Sequence, residues 1–157
     1  MNIELIAIGK TKTRYLIEGI EEYLKRFKRY IPYEITEIPD VKNAGRISRE
    51  EQKEAEGVQI LNRLQPSDHV ILLDERGRQY KSVEFADKLQ AIMASGKKRL
   101  VFIVGGPYGF SQSVYDRCNE LLSLSKMTFN HEMVRLFITE QIYRGMTILR
   151  GEPYHHE

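Results

Sequence analysis

Three short stretches of this chain have the residue types to hold a small ligand by backbone contacts. The apolar run Arg99-Leu100-Val101-Phe102-Ile103-Val104 stops at Gly105-Gly106-Pro107-Tyr108-Gly109-Phe110. Paired glycines let a ligand approach bare backbone, and Pro107 stiffens the turn beside them. A second apolar run ends in Leu73-Asp74-Glu75-Arg76-Gly77, and a third stretch reads Ser125-Lys126-Met127-Thr128-Phe129-Asn130. In open α/β sheets ligands gather outside the carboxyl ends of strands. Three such ends can wall one pocket, with amides and carbonyls reading a purine and Met127 and Phe129 as apolar walls. For Gly-Gly-Pro alone, a plain connecting turn would explain as much.

Other chemistries are excluded by pattern. There is no Gly-x-x-x-x-Gly-Lys-Ser/Thr loop to cradle phosphates. The glycine loop is Gly-Gly-x-x-Gly and follows a late strand, so it is no dinucleotide fingerprint. A Gly-x-Ser-x-Gly nucleophile elbow is missing. Cys118 has no motif around it and reads as a packing residue. His155 and His156 are adjacent, so their rings diverge in regular structure, and His69 opens a core strand; no metal is expected.

The elements that must position these stretches alternate. Ile3–Ile8 reads as a strand, and residues 13–30 as a helix with Leu16, Ile20, Tyr23, Leu24 and Phe27 on one face. Tyr33–Ile38 is the next strand. Ser48-Arg49-Glu50-Glu51 has the form of a capping box opening a helix to about Leu64, before Pro66. His69–Asp74 is a strand, and Ser82 is positioned to cap a helix ending near Ser95. The strand at 99–104, a short helix from Ser111 or Ser113, a strand near 121–125 and a long helix from His131 complete the chain. In that last helix Val134, Phe137, Ile138, Gln141, Ile142, Gly145, Met146 and Leu149 share one side. Arg135, Thr139, Glu140, Tyr143, Arg144 and Arg150 share the other, with Glu140 and Arg144 spaced to pair across one turn. Strands alternating with helices predict a single α/β domain over residues 1–157, with a mostly parallel sheet covered on both faces.

With 157 residues the chain is long enough to bury a core without staples. A single cysteine rules out an internal disulfide framework and fits a reducing compartment. The start lacks a signal-peptide pattern, and no apolar run approaches the roughly 20 residues of a membrane helix, so a cytoplasmic protein is expected. Net charge is only +2. Local clusters at Lys25-Arg26-Phe27-Lys28-Arg29, Arg76 with Arg78, and Lys97-Lys98-Arg99 add a modest case for a polyanionic partner.

The ordered set of motifs resembles one family. It comprises Leu73-Asp74 before Arg76-Gly77, Val104–Phe110, Leu122–Phe129 followed by His131, Val134-Arg135, Glu140-Gln141-Ile142-Tyr143-Arg144 and Pro153-Tyr154-His155. Together these resemble the RlmH family of the SPOUT superfamily, and the likeness runs the whole chain. The resemblance implies an α/β fold with a C-terminal trefoil knot, a homodimer, and S-adenosylmethionine as methyl donor without a metal. It implies N3 of a pseudouridine in helix 69 of 23S ribosomal RNA as acceptor. Cofactor contacts carry over onto Leu73, Gly105, Ser125, Lys126, Met127, Thr128, Phe129 and Asn130. Two positions depart: the family usually has Pro where Asn130 stands, which predicts a looser loop, and Arg or Lys where His156 stands. The uracil N3 proton must leave before or during attack. His155, directly or through a water, is the candidate base, with Tyr154 placing it, and Arg135, Arg144 and Arg150 are candidates to hold RNA. Two rival readings are another SPOUT RNA methyltransferase with a different target and a non-catalytic ribosome-associated RNA-binding protein.

Overall fold

A computed structural model describes residues 1–156. Its strands are β1 (Asn2–Ile8), β2 (Tyr33–Ile38), β3 (His69–Arg78), β4 (Arg99–Val104) and β5 (Glu120–Leu122). Its helices are α1 (Arg14–Phe27), α2 (Arg49–Leu61), α3 (Ser82–Ala94), α4 (Gln112–Arg117) and α5 (His131–Leu149). The strands form one sheet in the order β2-β1-β4-β3-β5, and every neighbouring pair is parallel.

The central strands are apolar on both faces because both are covered. Alternate residues serve separate cores. Ile3, Leu5, Leu100 and Phe102 pack with Phe27 of α1, Leu89 of α3 and Ile142 of α5. Ile6, Ile8, Val101 and Ile103 pack on the other face with Ile60 of α2 and Val114 of α4.

Local chemistry sets the helix ends. Ser48 Oγ accepts the Glu51 amide at 3.1 Å, so the capping serine stands where the sequence put it. Ser82 does not cap α3. It is the first helical residue, Lys81 holds the cap position, and the Ser82 hydroxyl donates to Gln141 Oε1 at 3.0 Å.

Two features differ from expectation and shape the ligand end of the sheet. β3 continues to Arg78 through an irregularity in which Leu73 and Arg78 both pair with Leu122. Gly77 permits this: a Cβ there would lie 2.5 Å from the Leu122 amide nitrogen. The second is α5, which packs against both α1 and α3 and so buries two sides. Arg135, Thr139 and Tyr143, expected on a polar face, are therefore in the interior.

Candidate active site

The carboxyl ends of β3, β4 and β5 open into one cavity of about 610 Å³. Leu73, Gly105, Ser125, Met127, Thr128 and Phe129 all line it, so the three stretches do meet. Lys126 and Asn130 belong to the same segment but are not in the wall. The glycine loop closes on itself as the Gly109 amide donates to the Gly106 carbonyl at 3.3 Å. Gly106 admits no side chain, because a Cβ would sit 2.5 Å from Glu56 Oε1.

Side-chain bonds fix the third stretch. Ser123 Oγ donates to the Ser125 carbonyl at 2.9 Å, and Ser125 Oγ accepts the Met127 amide at 3.0 Å. That turn pushes Met127 outward to 76% exposure, beside a Phe129 ring 5.1 Å from that of Phe137. Asn130 is no loose point. Its Oδ1 accepts the amides of Glu132 at 2.9 Å and Met133 at 3.4 Å, capping α5. Glu132 in turn accepts the Lys12 and Thr13 amides at 2.7 and 3.1 Å, tying the start of α5 to that of α1.

The wall also holds polar side chains beyond the candidate cofactor contacts. Asp74 accepts from the Tyr115 hydroxyl and from the Arg76 amide at 2.8 Å, and the Arg76 guanidinium lies 4.9 Å from the Tyr115 ring centre. Burial pushes the Asp74 carboxyl up, but the Tyr115 and Arg76 hydrogen bonds outweigh it and hold it below its ordinary 3.8. Arg49 stacks over Tyr108 at 5.1 Å, and Lys53 pairs with Glu50 at 2.9 Å on the same rim. The Leu73–Gly77 strand end signalled Asp74 and Arg76. Nothing in the sequence signalled Tyr115 or Arg49, which arrive from α4 and α2.

The tail lies elsewhere in its own chain. Neither Tyr154 nor His155 lines the 610 Å³ cavity. Tyr154 packs edge-on against Tyr143, shares a 2.9 Å hydrogen bond with the Tyr23 hydroxyl, and donates to Glu140 Oε1 at 3.0 Å. Burial, then the Tyr23 and Glu140 hydrogen bonds, pushes its phenol well above the ordinary value, so it stays protonated. Arg144 pairs with Glu140, as their spacing predicts, and approaches His155 Nδ1 at 3.1 Å. A guanidinium only donates, so Nδ1 is the acceptor in this contact. Glu140 also lines a smaller cavity of about 290 Å³, which shares Leu122, Ser123, Leu124 and Phe129 with the larger one.

The three arginines assigned to RNA part company. Arg135 is 1% exposed. It donates to the Ile8 and Gly9 carbonyls, to Thr11 Oγ1 at 2.8 Å and to Glu37 at 3.2 Å. It staples the end of β1 to α5 and presents nothing to a phosphate, so the structure removes it from the RNA set. The cause is the two-sided burial of α5. Arg150 stays half-exposed, lying 4.3 Å from the Tyr30 ring centre and donating to the Arg29 carbonyl. Arg144 has a quarter of its side chain exposed.

An all-parallel sheet with a glycine-lined cavity at its carboxyl end is common to many nucleotide-binding folds, and comparison with known proteins narrows it. Residues 1–155 match the family model described as "Predicted SPOUT methyltransferase", and the chain belongs to that family. Three relatives bear the name Ribosomal RNA large subunit methyltransferase H. They come from Parabacteroides distasonis at 55% identity, Flavobacterium johnsoniae at 54% and Porphyromonas gingivalis W83 at 52%. Each alignment covers 157 residues, the whole of both chains. The resemblance read from the motifs is thus borne out, and the protein is a methyltransferase by family.

Proposed function

We propose that this protein transfers a methyl group from S-adenosylmethionine to N3 of a pseudouridine in helix 69 of 23S ribosomal RNA. It does so as a cytoplasmic homodimer of one SPOUT domain, residues 1–157, with a C-terminal trefoil knot. The observation that carries the reading is the convergence of Leu73, Gly105 and the 125–129 turn on one cavity. The relatives' printed name supports a ribosomal RNA acceptor. No helix among the described residues is long and apolar enough to cross a membrane.

The cavity suits the donor. Its volume lies within the range of about 300–1,000 Å³ that small-ligand sites occupy. Gly105 and Gly106 line its wall, and Met127 and Phe129 offer apolar surface. Leu73, Gly105, Ser125, Met127, Thr128 and Phe129 would hold it, with Lys126 and Asn130 shaping the turn. When bound, S-adenosylmethionine supplies an electrophilic methyl group on a sulfonium.

The chain's own part is alignment and proton removal. His155 takes the N3 proton, directly or through a water, after exchanging its Arg144 contact for the substrate. Tyr154, held as a phenol, places the base as a donor. Because the tail packs on α1 and α5 away from its own cavity, it serves the cavity of the second subunit. Exposed Phe129 and Phe137 beside that cavity give the partner an apolar surface to meet. Arg144 and Arg150 hold the RNA backbone, joined at the cavity mouth by Arg49 and Arg76.

Calorimetry and a tail truncation test this together. Protein ending at Pro153 should bind S-adenosylmethionine as the full chain does yet transfer no methyl group to ribosomes. Full turnover without the tail removes His155 and Tyr154 from the mechanism. A full-length chain that binds ribosomes but not S-adenosylmethionine is instead a non-catalytic ribosome-associated module.

A further inference from the structure

Behind the glycine loop sits an acid that the reaction described above does not use. Glu56, on α2, is only 3% exposed. Its Oε2 accepts the Gln52 side-chain amide at 3.2 Å. It joins no ion pair among the described residues. Both carboxylate oxygens press on Gly106, where a Cβ would lie 2.5 Å from Oε1 and 2.6 Å from Oε2. The next residue, Gly57, abuts the far end of the same loop: a Cβ there would lie 2.4 Å from Ser111 Oγ. Adjacent residues of α2 therefore back both ends of the segment that walls the cavity. A buried carboxylate with no cation costs stability, and strongly perturbed acids cluster at functional sites.

We propose that Glu56 is the counter-charge of the cofactor site: packed behind Gly106, it favours the positively charged sulfonium donor over the uncharged thioether product. This rests on the S-adenosylmethionine reading of the larger cavity. Donor and product share their nucleoside, amine and carboxylate and differ at sulfur, where the donor is one unit more positive. An ionised acid behind the wall therefore lowers the energy of the bound donor and leaves that of the product nearly unchanged. After transfer, the site loses its preference for what it holds, which speeds exchange of product for fresh donor.

Linkage gives the reciprocal effect. Burial, opposed by the Gln52 amide and reinforced by Asp40, pushes the Glu56 carboxyl up. A bound sulfonium pulls it back toward ionisation, so donor binding releases a proton that product binding does not. Few other charges face Glu56. Asp40 comes from the connection after β2, Gln52 from its own helix is uncharged, and loop residues 105–110 carry no charge.

Isothermal titration of the full-length protein with S-adenosylmethionine and with S-adenosylhomocysteine tests this, between about pH 5 and 8 in two buffers of different ionisation enthalpy. In the native protein the donor-to-product affinity ratio should rise about three- to tenfold across that range, with proton release on donor binding only. Glu56→Gln should show a flat ratio and no release; His131 and Asp74, also in the wall, are present in both proteins, so the difference isolates Glu56. A flat ratio in the native protein, or an equal rise in the variant, overturns the proposal. Should the variant fail to fold, the two-buffer comparison on native protein decides, since equal proton counts for both ligands overturn it. If neither ligand binds, the cofactor reading falls first and this proposal with it.

Discussion

Two side chains show how far a residue's role depends on surroundings that a linear sequence hides. Arg135 follows an apolar residue on a helix, a pattern that fits a surface arginine equally well. Its burial follows from α5 packing against two helices at once, which no local signal encodes. Arg135→Ala should lose about 2–4 kcal/mol in urea unfolding, because the Ile8 and Gly9 carbonyls lose their donor inside a cavity. An RNA-contact role would instead weaken RNA binding and leave the unfolding midpoint in place. Asp74 gives a pH signature. Its folded carboxyl lies below 3.8, so its stabilising effect is complete above about pH 4 and disappears as pH falls through the lowered value. Tyr115→Phe removes one of the donors that lower it. The stability gap between Tyr115→Phe and native protein, measured by denaturant titration, should be widest at neutral pH and close below about pH 4.

At the level of elements, most of the sheet was legible. The strands at 33–38 and 99–104 and the start of α5 at His131 fall where periodicity and breakers placed them. What escaped notice depends on contacts far apart in sequence. β3 runs past Asp74 because Gly77 lets it approach β5, the strand expected near 121–125 and found at Glu120–Leu122. This hook sets where the chain leaves β5 and therefore where the 125–129 turn stands. Gly77→Ala places a Cβ 2.5 Å from the Leu122 amide nitrogen and must displace β5. Binding of S-adenosylmethionine should weaken at least about tenfold, the effect of roughly 1.4 kcal/mol of lost alignment. Unchanged affinity would mean that the turn is positioned independently of the hook. The polar wall escaped for a similar reason: Tyr115 and Arg49 reach the cavity from helices whose sequences carry no ligand motif.

At the scale of the whole molecule, the proposed role of the tail requires it to reach a cavity that it does not line in its own chain. Tyr154 and His155 are anchored through Tyr23, Glu140 and Arg144 on the α1–α5 side. Phe137, 39% exposed and stacked with Phe129, lies at the cavity side of α5. In the proposed two-fold dimer the same patch would meet itself, and each tail would have to reach the other subunit's cavity. Phe137→Glu should shift sedimentation at micromolar protein from dimer to monomer and abolish methyl transfer; a variant that stays dimeric, or an active monomer, would contradict this arrangement. Delivery of a methyl group to one nucleotide is tested by mapping that nucleotide. Ribosomes lacking the modification are incubated with the protein and isotopically labelled S-adenosylmethionine, and the labelled nucleoside is located by mass spectrometry of 23S fragments. Label is expected on N3 of a pseudouridine in helix 69 and nowhere else. Label at another nucleotide, or no transfer by protein that binds the donor, would contradict the proposed function.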